Sequence, residues 1–64
     1  MTITLNGEPR QTAAATLAGL LIEAGFGAKV ATARNGEFVS AALRAATPIT
    51  EGDRIEVVAA MQGG

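Results

Sequence analysis

The stretch TPITEGDRIEVVAAMQGG, residues 47–64, carries most of the reading of this chain. Pro48 stops what precedes it, because a proline neither continues a helix nor donates to a strand ladder. Glu51-Gly52-Asp53 reads as a turn: glycine accepts a positive φ, and short acids bond back to their own backbone. Residues 54–60 then alternate, with Ile55 and Val57 toward one face and Glu56 and Val58 toward the other, the pattern of a half-buried strand. Residues 60–64 continue no apolar period, so an exposed tail ending on two glycines is expected there.

The opposite end of the chain supplies a neighbour for that strand. In TITLNGEPRQT (residues 2–12), Ile3 and Leu5 alternate with Thr2 and Thr4, again at the period of a strand with one buried face. Asn6-Gly7 best tolerates the positive φ angles of a two-residue hairpin turn, so residues 8–12 return as a second strand. Pro9 lacks a ladder donor and assigns that strand to an edge. The first and last strands each present an inward apolar pair, which suits adjacent central positions.

Between these ends the period changes. Leu17, Leu20, Leu21 and Ala24 of TLAGLLIEAG (16–25) share one face of an amphipathic helix. Thr16 suits its N-cap, and Gly25 suits the left-handed residue that closes it. Gly19 costs about 1 kcal/mol against alanine inside a helix and is expected where the helix passes close to the sheet. KVATARNGEFV (29–39) reads as a second hairpin turning at Asn35-Gly36, with Ala31 and Ala33 expected to face the helix. Residues 40–49 form a connection with one short helical turn. A mixed sheet of four to five strands packed on one helix makes a two-layer α+β domain over residues 1–64, with 60–64 as its tail.

Composition narrows the function. Hydrophobic residues are 48% of the chain and charged residues 17%, which separates it from disordered segments. Cysteine and histidine are absent, so disulfides, thiolate metal sites and imidazole bases are excluded and no metal is expected. Ser40 is the only serine and has no histidine to activate it. Gly25 and Gly27 lack the lysine and spacing of a phosphate loop. No catalytic residue is assigned. The basic residues are scattered at a net charge of −1, which does not suit a nucleic-acid partner. Apolar runs are too short to cross a bilayer, and the first residues lack the regions of a secretory signal. A cytoplasmic protein, monomeric when free, is expected.

The end of the chain remains as a reactive group. A terminal carboxylate needs no neighbouring side chain if another protein activates it. Gly63 and Gly64 have no Cβ, so this end can thread a narrow channel and lie against a nucleotide phosphate. A carboxylate presented to ATP becomes an acyl-adenylate, a mixed anhydride open to sulfur or nitrogen nucleophiles.

Four stretches together carry a family resemblance: ITLNGE (3–8), TLAGLL (16–21), VATARNGEFV (30–39) and TPITEGDRIEVVAAMQGG (47–64). The first three are common β-grasp patterns. The last is the specific one, with an acidic-Gly-Asp turn, a strand and a Gln-Gly-Gly end at fixed distance. The chain resembles, over its whole length, the ubiquitin-like β-grasp sulfur carriers, most closely the ThiS type of thiamine biosynthesis. The resemblance implies that an E1-like enzyme adenylates Gly64 using ATP, with no cofactor bound by the chain itself. The adenylate then becomes a thiocarboxylate, its sulfur coming from a cysteine desulfurase persulfide, and delivers sulfur to thiazole synthase. Gly63, Gln62 and Met61 form the tail that enters the partner. Phe38, Val58 and Ile22, apolar residues expected at the surface, are the candidate docking contacts.

Two positions depart from the family pattern. Ser40-Ala41 stands where many members have Pro-Arg, which leaves Arg44 as the candidate to supply that charge. Arg34 stands where an apolar residue usually precedes Asn-Gly. Other readings share the same residues. The small subunit of molybdopterin synthase has the same fold and thiocarboxylate, but its chains run longer and favour an apolar residue where Gln62 stands. A non-covalent β-grasp interaction module would dock through the same surface and leave the tail idle. A protein modifier would form isopeptide bonds to lysines.

Overall fold

The computed structural model describes residues 1–59. Its elements are β1 (Thr2–Leu5), β2 (Glu8–Gln11), α1 (Leu17–Ala24), β3 (Val30–Arg34), β4 (Glu37–Val39) and β5 (Arg54–Ala59). A 3-10 helix at Ala41–Ala46 precedes β5. The strands form one sheet in the order β2-β1-β5-β3-β4. β1 and β5 run parallel, with Thr4 opposite Arg54 and Leu5 opposite Ile55, and the other pairs are antiparallel. The two ends of the described chain therefore lie side by side at the centre, and β2 with its Pro9 lies at an edge. This is the α+β β-grasp arrangement, a five-stranded mixed sheet with one α-helix.

Local chemistry accounts for the turns and caps. Asn6 and Gly7 have φ of 53° and 85°, and Asn35 and Gly36 have 52° and 86°, the two positive values of a type I′ hairpin turn. Thr16 is extended, and its Oγ1 accepts from the Gly19 N–H at 3.1 Å. At the other end Gly25 takes φ of 83°. Its N–H donates to the Ile22 carbonyl at 3.1 Å, and the Phe26 N–H donates to Leu21 at 2.9 Å, a Schellman closure. Gly19 differs from expectation. A Cβ there would meet Thr16 Oγ1 at 3.4 Å and Ala14 Cβ at 3.5 Å, so its close neighbour is the segment entering the helix, not the sheet.

The core joins Leu17, Leu20 and Leu21 of α1 to Ile3, Val39, Ile55 and Val57 of the sheet, with Leu5 packed against it. Ile49 belongs to it as well, at 4% exposure, although it lies in the connection. The backbone places it there: Leu17 N–H donates to Thr47 at 2.9 Å and Ile49 N–H to Ala15 at 3.1 Å. The connection thus runs along the entrance of α1 like a short strand.

The expected facing of β3 is corrected. Thr32, not Ala31 or Ala33, is the β3 residue that turns inward, at 2% exposure. Register decides this, because Thr32 stands opposite both Val39 and Val57, whose side chains point inward. Its hydroxyl is satisfied, donating to the Val39 carbonyl at 2.7 Å and accepting from Arg44 Nε at 3.2 Å. Arg44 also donates to the Val30 carbonyl and is 7% exposed. Both side chains are therefore spent on joining the 3-10 helix to β3.

Candidate functional site

β5 is the strand that leads toward the expected tail, and two Asn-Gly turns hold it from opposite sides. On the β1 side, Asn6 Oδ1 accepts from the Val57 N–H at 2.8 Å while Asn6 Nδ2 donates to the Val57 carbonyl at 3.0 Å. On the β3 side, Asn35 Oδ1 accepts from the Arg54 N–H at 2.9 Å, and the Asn35 N–H donates to the Arg54 carbonyl at 2.7 Å. Each asparagine extends the ladder beyond the end of its own strand. The left-handed conformation that the turn requires is what aims each side chain at β5.

Asp53 anchors the start of the strand. It is 6% exposed and accepts from Arg34 Nε at 2.8 Å, Asn35 Nδ2 at 3.0 Å, Thr50 N–H at 2.8 Å and Thr50 Oγ1 at 3.1 Å. Burial by itself pushes this carboxyl up, but the donors from Arg34, Asn35 and Thr50 outweigh it and hold the group well below the usual carboxylate range. Glu51 accepts from the Thr2 N–H at 3.0 Å. Both acids of the turn thus act on the frame of the sheet. Arg34, unusual at its position, is explained in the same way: it is the cation that Asp53 needs.

The outward side chains of the sheet make the candidate docking face. Phe38 and Glu56 both stand opposite Ala33, and Val58 stands opposite Ala31. Phe38 is 72% exposed and Val58 59%. Together with Ala31, Ala33 and Glu56 they line a shallow depression of about 300 Å³. The small size of the two alanines, which would have served the core poorly, is what opens this depression. Phe38 and Val58 are thus brought together on one surface. Ile22 is not. It is 81% exposed on α1 and lines a separate groove with Ala18, Phe26 and Ala45.

Sequence reasoning missed Glu56 and the two alanines as members of the face. The available signal was the alternation of β5, which put Glu56 beside Val58, but the facing of β3 was needed to add the alanines. Arg44 does not stand in for the missing Pro-Arg at the surface, since its guanidinium is bonded inside the fold. Met61, Gln62, Gly63 and Gly64 lie outside the described residues. Among the described residues no three acidic, histidine or cysteine side chains gather as a metal site needs, and no helix is long and apolar enough to cross a membrane.

The family model for the ThiS family matches residues 3–64. Among solved structures, the crystal structure of a thiamine biosynthesis protein (ThiS) from Geobacter metallireducens is similar along the full length. It covers 100% of both chains at 29% sequence identity, with a TM-score of 0.83. No curated protein matches the chain significantly. The family match spans the helix, both hairpins, the β5 frame and the Gln-Gly-Gly stretch alike, and the chain belongs to the ThiS family of small sulfur carrier proteins.

Proposed function

We propose that this chain carries sulfur for thiazole formation in thiamine biosynthesis, as a protein cosubstrate with no catalytic residues of its own. The observation that supports the reading most is the course of β5. It is clamped at the centre of the sheet, passes the exposed Phe38–Val58 face, and leads to residues 60–64 with their Gln-Gly-Gly sequence. In this reading an E1-like enzyme docks on that face and receives the tail. Extended chain spans at most about 3.3–3.6 Å per residue, so the six positions from Val58 to Gly64 reach roughly 20 Å. The nucleotide site of the enzyme lies within that distance of its docking contact.

The chemistry is then carried by Gly64. Its carboxylate attacks the α-phosphorus of ATP, pyrophosphate leaves, and an acyl-adenylate forms. A persulfide from a cysteine desulfurase displaces AMP, and a thiol cleaves the resulting acyl disulfide to leave the thiocarboxylate. That group passes its sulfur to thiazole synthase. Gly63 and Gly64 suit this role because a residue without a Cβ fits a narrow channel. The carrier works in the cytoplasm and is a monomer between partners.

Mass spectrometry tests the reading. Incubated with its adenylating enzyme, ATP and a persulfide source, the protein gains the mass of one oxygen exchanged for sulfur, and fragmentation places the gain at Gly64. Sulfur found at any other residue, or no gain in mass, overturns the proposal.

A further inference from the structure

The outer face of the sheet holds an acid at its centre. Glu56 of β5 stands opposite Ala33 of β3, and Ala33 stands opposite Phe38 of β4. Since alanine reaches no farther than its Cβ, the Glu56 carboxylate rises beside an open depression walled by Phe38 and Val58. Among the described residues no cation pairs with it: the two ion pairs are Arg10–Glu23 and Arg34–Asp53. Arg54, the cation two positions away on the same strand, reaches toward the β3–β4 turn instead, with Nη2 3.3 Å from where a Cβ on Gly36 would stand.

We infer that the protein occupying this depression inserts an apolar side chain flanked by a lysine or arginine, and that this cation meets Glu56. The inference rests on the docking reading given above, and it names the chemistry that the adenylating enzyme presents to the carrier. A purely apolar partner would strip water from the carboxylate and return nothing, which disfavours burying an ionised group. A cation restores the lost solvation and fixes the register of docking. A second copy of this chain fits poorly. Two-fold pairing repeats the same patch on both sides, so pairing centred on the depression sets one Glu56 against the other.

Titration calorimetry of the full chain against its purified adenylating enzyme, at low and at high salt, tests the contact. Glu56 is exposed, so its replacement leaves the fold intact. Glu56→Lys is expected to weaken binding about tenfold or more, since like charges now oppose each other. Glu56→Gln weakens it less and flattens its dependence on salt. Phe38→Ala probes the apolar part of the face apart from the acid. Loss of affinity in Phe38→Ala, with both Glu56 variants binding like the parent, overturns the acid–cation contact and leaves the docking face standing. Parental affinity in all three variants overturns both. Concentration-dependent dimerisation that Phe38→Ala abolishes assigns the face to a second copy and also overturns the inference.

Discussion

Asn6 and Val57, 51 positions apart, exchange two hydrogen bonds, the amide of one side chain answering both backbone groups of the other residue. An asparagine in a hairpin turn thereby acts as one more residue of β1. It secures β5 near the point where the strand leaves the described fold. The clamp depends on two properties together, tolerance of φ at 53° and an amide at that reach.

Asn6→Gly separates the two, since glycine keeps the turn and removes the amide. At about 0.5–1.5 kcal/mol for each hydrogen bond, the variant is expected to lose roughly 1–3 kcal/mol in urea unfolding. Hydrogen exchange at the Val57 amide accelerates more than that at Ile55. Equal acceleration at both sites would show that the amide does not hold the strand locally.

Asp53 makes stability depend on pH. Folding lowers its pKa, so its contribution is complete above the unfolded value near 3.9 and is lost as pH falls through and below that value. Asp53→Asn is expected to lose about 1.5–3 kcal/mol at pH 7, the range for hydrogen bonds to a charged group. The gap between parent and variant then narrows as the medium is acidified below about pH 4. Chemical denaturation of both proteins at pH 7 and pH 3 checks this, and a gap of constant size would remove the carboxylate from the account.

The two faces of α1 should answer differently to truncation. Leu21 is 5% exposed and Ile22 81%. Leu21→Ala is expected to cost about 2–5 kcal/mol, the range for emptying a core leucine site. Ile22→Ala stays within about 0.5 kcal/mol. Denaturant midpoints decide, and a loss under half a kcal/mol for Leu21→Ala would contradict the packing described.

Thr32→Val keeps the shape of the side chain and removes its hydroxyl. Arg44 Nε loses its acceptor inside the fold, and the Val39 carbonyl, which faces Thr32 across the β3–β4 ladder, loses only its side-chain donor. The cost is about 1–3 kcal/mol for the one buried donor left unsatisfied. Thermal melts are expected to show this loss even though valine is the better strand former. A variant as stable as the parent would mean that Arg44 finds another acceptor.

A residue appended after Gly64 moves the carboxylate out of register, and Gly63→Val adds a stiff, β-branched side chain to the proposed channel. Both variants are expected to keep the parental unfolding midpoint and to gain no sulfur in the mass assay. Sulfur transfer at the parental rate in either would refute the proposed role of the two glycines.

What the sequence determined by itself lies where the cause is local. The Asn-Gly turns, the Thr16 and Gly25 caps and the inward faces of β1 and β5 each depend on residues within a turn or on strand alternation. The family resemblance was also legible in that way, because its motifs are short and fixed in spacing. Tertiary structure decided the rest. β3 offers Val-Ala-Thr-Ala-Arg, with no strongly apolar face, so only its register against Val57 and Val39 could turn Thr32 inward and the alanines outward. Ile49 entered the core because the connection pairs with the start of the helix, a contact that no period within residues 40–49 encodes. The same register gathered Phe38, Glu56 and Val58 on one face while Ile22 stayed on the helix. A residue's partners across a sheet are set by which strands become neighbours, and that depends on the packing of the whole chain.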